Sequence, residues 1–109
     1  MEILFENKAV REICEKASIA NKKLGAISAR KLRSRLDEIG AASSVTDLVA
    51  GAPHPLGKDR LGQFALSLAG GWRLVFSPGN DPTPRKPDAS VAWGQVTIVV
   101  IEYIGDYHD

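Results

Sequence analysis

Apolar and polar positions divide the chain into a helical first third and a strand-rich remainder. Ile3-Leu4-Phe5 reads as a short strand, after which Asn7 can cap a helix: Val10, Ile13, Cys14 and Ala17 recur at the i, i+3, i+4, i+7 spacing of one apolar stripe. Leu24-Gly25 breaks the pattern. Ser28 then stands where it can cap a second helix, with Leu32, Leu36 and Ile39 on its stripe, Arg30 and Arg33 pointing away, and Gly40 ending it. Helices this short are not stable alone, so two antiparallel helices with apolar stripes call for a sheet to cover them.

Past Gly40 the pattern changes. Ser44 to Val49 can form one more turn, and Gly51-Ala52-Pro53-His54-Pro55 must be irregular, because two prolines bracket the histidine and hold its backbone extended in a stiff loop. Phe64, Leu66 and Leu68 alternate with Gln63, Ala65 and Ser67, and Gly70-Gly71 supplies a tight turn into Trp72-Arg73-Leu74-Val75-Phe76. In that hairpin a period of two places Trp72, Leu74 and Phe76 on one face and Arg73 with Val75 on the other. Ser77 to Ser90 holds four prolines and reads as a mobile, exposed loop. Val96 to Tyr103 is β-branched and apolar on both faces, as an interior strand under helices would be; Gly105 ends it and leaves Asp106-Tyr107-His108-Asp109 as a tail. The expected fold is α+β: two N-terminal helices packed on a mainly antiparallel sheet of about four strands, in a single domain spanning residues 1–109.

Composition narrows the function classes. A chain of 109 residues, 44% hydrophobic and 25% charged, supports one modest core and excludes a multidomain enzyme or low-complexity disorder. One cysteine, Cys14, cannot form an internal disulfide, which fits a reducing, cytoplasmic setting, and it lies on the apolar stripe of the first helix, where burial is its natural role. The longest purely apolar run is Ile98 to Ile101, so neither export nor a membrane span is expected. The net charge of +1 hides a gradient: residues 1–35 carry nine Lys or Arg against four Glu, and Lys22 to Arg35 has six basic residues and no acid. A neutral total therefore leaves room for an anionic partner at one face, although residues such as Lys22, Lys23, Arg30, Lys31, Arg33 and Arg35 more often form a solvated helix face than a binding patch, and spacing alone does not decide.

Candidate chemistry is sparse. The two histidines, His54 and His108, occur outside any helical or strand pattern that would explain them by burial. Imidazole can both take and give a proton near neutral pH, while solvated loop histidines with no task are the plain alternative. Lys58 and Arg60 follow His54 closely between Gly57 and Gly62, which makes an anion site if Arg73 of the hairpin lies alongside; a surface ion pair is the competing role for Arg73. Tyr107-His108 adds a phenol and a second imidazole at the end of the last strand. No glycine-rich phosphate cradle, His-Glu-x-x-His or paired-cysteine motif is present, and neither a metal nor a cofactor is expected.

Three separated stretches, in order, carry a resemblance: His54-Pro55-Leu56-Gly57-Lys58-Asp59-Arg60-Leu61-Gly62-Gln63-Phe64, then Gly71-Trp72-Arg73-Leu74-Val75-Phe76, then Glu102-Tyr103-Ile104-Gly105-Asp106-Tyr107-His108. They resemble the HigB branch of the RelE/ParE toxin superfamily, whose members show a His-x-Leu-Lys-Gly-Asp-Arg-x-Gly segment, a Trp-Arg or Tyr-Arg strand and a terminal Asp-Tyr-His. Two features differ: the usual Lys-Gly order is Gly57-Lys58 here, and the segment from Ser77 to Ser90 is longer than in compact members. The resemblance implies a metal-independent, ribosome-dependent mRNA endonuclease, the toxin of a type II toxin–antitoxin pair. His54, Lys58, Arg73, Tyr107 and His108 would be its catalytic positions, with Arg60 a basic residue beside them and Lys22, Lys23, Arg30, Lys31 and Arg33 an RNA-binding face. Implied partners are a HigA-like helix-turn-helix antitoxin, the ribosome with its mRNA, and operator DNA only through the antitoxin complex, with no membrane. Two other readings stay open on the same fold: a ParE-like toxin that inhibits a topoisomerase by binding, and an inactive antitoxin-binding corepressor.

Overall fold

The computed structural model describes residues 1–106; Tyr107, His108 and Asp109 lie outside the described residues. The order of elements is β1 (Glu2–Phe5), α1 (Lys8–Glu15), α2 (Ala17–Leu24), α3 (Ala26–Ala41), β2 (His54–Pro55), β3 (Phe64–Ser67), β4 (Arg73–Pro78) and β5 (Ile98–Gly105), with single 3-10 turns at Val45–Asp47, Lys58–Arg60 and Trp93–Gln95. The α+β class is as the sequence indicates, but the described residues form three helices instead of two and five strands instead of about four.

The extra helix arises at Lys16. Asn7 caps α1 as expected, its side-chain oxygen accepting from the Val10 N–H at 2.9 Å. Lys16 then turns extended (φ −116°, ψ 107°), and the chain re-enters helix with a new phase, so that Ala17 is exposed while Ala20 and Leu24 are buried. Gly25, at φ 83°, provides the second break, in a backbone region that glycine enters without cost. Helix α3 buries Leu32 and Ile39 of the stripe the sequence predicts, with Leu36 half-buried against the core and Ala29 buried one turn earlier. Ser28, expected to cap this helix, lies one turn inside it and is buried; its hydroxyl donates to the Ala69 carbonyl at 3.2 Å and accepts from the Ala69 N–H at 3.3 Å, tying α3 to the β3–β4 turn. At the far end of α3 the Met1 ammonium donates to the carbonyls of Ile39, Gly40 and Ala42, satisfying acceptors that a helix terminus leaves open.

The sheet runs in the order β1-β5-β4-β3-β2, with β1 parallel to β5 and the other neighbours antiparallel. The fifth strand is the surprise: His54-Pro55, expected in a loop, pairs with Ala65 and Phe64 as a two-residue edge strand. Prolines suit an edge, where a missing N–H interrupts no central ladder. The 64–76 hairpin forms as expected, with the left-handed glycines Gly70 and Gly71 at its turn. Between β4 and β5 the register slips: Val75 faces Tyr103 but Phe76 faces Ile101, so Glu102 is the extra residue of a β-bulge. The segment after β4 is more ordered than its prolines imply. Asn80 donates to Thr97 and accepts from the Thr97 and Ile98 N–H groups, and Arg85 bridges to Val91.

The three helices cover one sheet face. Leu32 and Ile39 pack with Leu66, Leu74, Phe76, Val99 and Ile101 in the main core, and Phe64, Phe76 and Trp93 form an aromatic cluster at its end, with ring centroids 4.9 to 6.3 Å apart. On the other face, among the described residues, Leu56, Ala65 and Val75 make a small buried cluster. No helix of the described residues is long and apolar enough to cross a membrane.

Candidate active site on the uncovered sheet face

Residues opposite one another in a sheet point to the same side, so strand register decides which side chains meet. One row runs His54 (β2), Ala65 (β3), Val75 (β4) and Tyr103 (β5); the next runs Ser67 (β3), Arg73 (β4) and Gly105 (β5). Ala65 and Val75 belong to the cluster opposite the helices, so both rows open on the uncovered face. Ala65 and Val75 in the middle of the first row, and Ser67 and Gly105 on either side of Arg73 in the second, keep the floor shallow, leaving His54, Arg73 and Tyr103 as its tall members. His54 and Arg73 are two strands and two residues apart, a Cα separation of about 12 Å from standard sheet dimensions.

Each side chain has a local restraint. The His54 Nδ1 lies 2.8 Å from the Ala52 carbonyl oxygen. A carbonyl only accepts, so Nδ1 carries the proton and a neutral ring keeps its lone pair on Nε2. Arg73 donates to the Ser67 hydroxyl at 3.5 Å, within its own row. Arg60 leaves the 58–60 turn to lie over the Tyr103 ring, with its guanidinium carbon 5.1 Å from the centroid, and donates to the Gln63 amide oxygen at 3.4 Å. Just beyond, the Ser77 hydroxyl donates to the Glu102 carboxylate at 2.6 Å across the bulge.

His54, Arg60 and Arg73, brought together on motif grounds from separate parts of the sequence, thus share one face. Lys58 sits on the adjoining turn, exposed, at φ 54°. That left-handed backbone is where a glycine would be at ease, so reversing Lys-Gly to Gly57-Lys58 sets the lysine on the position that favours glycine. Tyr107 and His108 lie outside the described residues; what the structure gives is the end of β5, where Gly105 pairs with Arg73. Lys22, Lys23, Arg30, Lys31 and Arg33 are exposed on α2 and α3, in the layer that covers the opposite face of the sheet. Arg35, grouped with them by sequence, is instead tucked in: it pairs with Glu38 at 2.8 Å and donates to the Ser67 carbonyl at 3.4 Å.

Tyr103 is the site residue that sequence reasoning missed. It reads as an ordinary strand former at the end of an apolar run, and only the bulge turns it to the same face as His54. Cys14, by contrast, is far from this chemistry; burial, with Glu15 beside it, pushes its thiol up to about 12. Among the described residues no group of three or more His, Cys, Asp or Glu side chains gathers as metal ligands.

Among solved structures, the chain is similar to the YoeB/ParE toxin from Agrobacterium tumefaciens, with a TM-score of 0.60 over 99% of this chain and 100% of that one, at 11% identity. The chain has the fold of that toxin. No protein-family model matches the sequence, and no curated protein does. The likeness in backbone with so few shared residues leaves function to the site itself.

Proposed function

We propose that the protein is a HigB-like toxin of a type II toxin–antitoxin pair, a metal-independent endonuclease acting on mRNA in the ribosome. The observation that carries the reading is the convergence of His54, Arg60 and Arg73 on the one sheet face the helices leave open. Similarity of fold to a YoeB/ParE toxin supports the toxin class.

RNA brings its own nucleophile. A base takes the proton of the ribose 2′-OH, the oxygen attacks the neighbouring phosphorus, and the bond to the leaving 5′-oxygen breaks as an acid protonates it. The products are a 2′,3′-cyclic phosphate and a 5′-hydroxyl. With Nδ1 committed to the Ala52 carbonyl, His54 offers Nε2 as the base. Arg73, steadied by Ser67, stabilises charge on the phosphorane through its planar fork, and Lys58 adds a second cation from the turn. His108 supplies the acid and Tyr107 orients or stacks on a base; three residues of chain beyond Gly105 span at most about 11 Å, which bounds their reach from the Arg73 row. The basic faces of α2 and α3 hold ribosomal RNA from the other side of the molecule, and a HigA-like helix-turn-helix antitoxin silences the enzyme and carries the complex to operator DNA.

Induction of the chain in cells, followed by mapping of mRNA 5′ ends, tests this. Codon-phased cuts that disappear in His54→Ala, Arg73→Ala and His108→Ala are expected, each transfer being worth about 10²- to 10⁴-fold. Intact mRNA with DNA damage would replace the reading with a ParE-like topoisomerase poison, and normal growth with an antitoxin-binding corepressor.

A further inference from the structure

The sheet ends in two edges that the chain treats differently. At β2, the Leu56 N–H donates to the Gln63 carbonyl, so alternation along the strand turns Pro55 and Pro53 outward, and neither has an N–H to offer another strand. At β1, the N–H groups of Glu2 and Glu6 donate to the Thr97 and Ile101 carbonyls. The same alternation points the N–H and C=O groups of Ile3 and Phe5 away from β5, and no other described residue bonds to them. Ile3 and Phe5 pair with Val99 and Ile101 of the main core and lean under the helices, while Glu2, Leu4 and Glu6 stand exposed on the other face, Leu4 at 41%. Beside Phe5 a cleft of about 550 Å³ opens between the end of the strand and α1, lined by Asn7, Lys8 and Arg11.

We propose that the β1 edge receives an extended segment of a partner protein, which pairs antiparallel with residues 3–5 as a sixth strand and carries a basic, an apolar and a second basic residue at alternate positions. Antiparallel pairing is the more stable arrangement, and in it the residues opposite Ile3 and Phe5 exchange both backbone bonds with them. Main-chain bonds supply the affinity and alternate side chains the specificity. Directly opposite positions share a face, so the basic residues of the segment meet Glu2 and Glu6 and its apolar residue meets Leu4. A second copy of this chain does not fit that pattern. Antiparallel self-pairing centred on Leu4 would set Glu2 of each copy opposite Glu6 of the other, like charge against like, which is how an edge rejects its own kind. The inference goes beyond the nuclease reading and does not lean on it. Strands β1 and β2 lie at opposite edges, four strand spacings or about 19 Å apart, so a segment held at β1 leaves the His54 end of the face open.

The probe is a synthetic heptapeptide, acetyl-Thr-Lys-Val-Leu-Val-Lys-Thr-amide, titrated into the nitrogen-15-labelled full chain. The Ile3 and Phe5 amide signals are expected to shift and, near saturation, to exchange with solvent about 5-fold or more slowly, whereas the Leu4 amide, which already faces β5, changes little. A counterpart with glutamate in place of both lysines should bind about 10-fold more weakly, and Glu2→Lys with Glu6→Lys, at two exposed positions, should reverse that preference. The lysine peptide with both valines N-methylated loses the donors that face β1 and should not bind. Circular dichroism and a thermal melt show whether the charge-reversed chain keeps its fold; if it does not, the altered peptides test the same points on the parent. No shift at Ile3 and Phe5, equal binding of the lysine and glutamate peptides, or unimpaired binding of the N-methylated one would overturn the proposal. So would a dimer in sedimentation equilibrium whose Ile3 and Phe5 amides are already protected, because the edge would then belong to a second copy. Peptide bound at β1 in a protein that leaves mRNA uncut would sink the nuclease reading and leave this one standing.

Discussion

Replacing Ser28 separates two roles that sequence cannot tell apart. As a helix N-cap it would tolerate aspartate, one of the best capping residues. In the structure Ser28 is only 4% exposed and its hydroxyl bonds both ways with Ala69. The Ala69 carbonyl also accepts from the Trp72 N–H at 3.0 Å, so it keeps a partner when the hydroxyl goes; the Ala69 N–H, which uses the hydroxyl, does not. Ser28→Ala therefore strands one partly buried donor, at a cost of about 1 to 2 kcal/mol. For a domain of this size that lowers the melting temperature by roughly 4 to 8 °C. Ser28→Asp sets an ionised carboxylate against the Ala69 carbonyl inside the core and should cost about 3 kcal/mol or more, or prevent folding. Thermal melts of both variants, with hydrogen exchange at the Ala69 amide, measure the difference. An aspartate variant as stable as the parent, or an Ala69 amide that exchanges no faster in Ser28→Ala, would refute the clamp between helix and hairpin.

Four other outcomes are expected. Exchanging Gly57 and Lys58, by Gly57→Lys with Lys58→Gly, returns the φ 54° position to glycine and should stabilise the turn by about 1 kcal/mol in denaturant titrations; no gain would mean that the lysine rests there without strain. Gly51→Ala adds a Cβ 2.7 Å from Arg35 Nε and 3.0 Å from the Ser67 carbonyl at a backbone φ of 86°, and should lose about 2 kcal/mol or more, read as a lower urea midpoint. The Cys14 thiol ionises at 9.0 when ordinary and at about 12 in the fold, so the unfolded chain sheds its proton first; stability from this group is full below pH 9 and lost as pH rises toward 12, and Cys14→Val should flatten that part of the curve. Nitrogen-15 spectra at high pH should show neutral His54 as the Nδ1–H tautomer, and an Nε2–H ring would remove the base assigned here.

What sequence could and could not see follows from the range of each interaction. The hairpin was legible because alternation from Phe64 to Phe76 and two glycines at its turn are local signals. His54 and Arg73 were legible as chemistry, because a histidine between prolines and an arginine on the outer face of a strand are both unexplained by burial. Their meeting on one face was not, since it depends on a two-residue edge strand whose pairing is set by Ala65 and Phe64, further along the chain. The break at Lys16 carries no proline or glycine to announce it; the core that Ala20 and Leu24 must reach imposes it. The bulge is the most telling case. Glu102 interrupts an apolar run by one residue, and a strict period of two would send Tyr103 into the helix layer with Val99 and Ile101. The sheet instead accepts an extra residue, buries Ile104 in its place, and turns Tyr103 out over Gly105. Gly105 ends the strand, as the sequence indicates, but does so as a paired ladder residue with the ring lying over it, and the chain leaves the sheet directly beside Arg73.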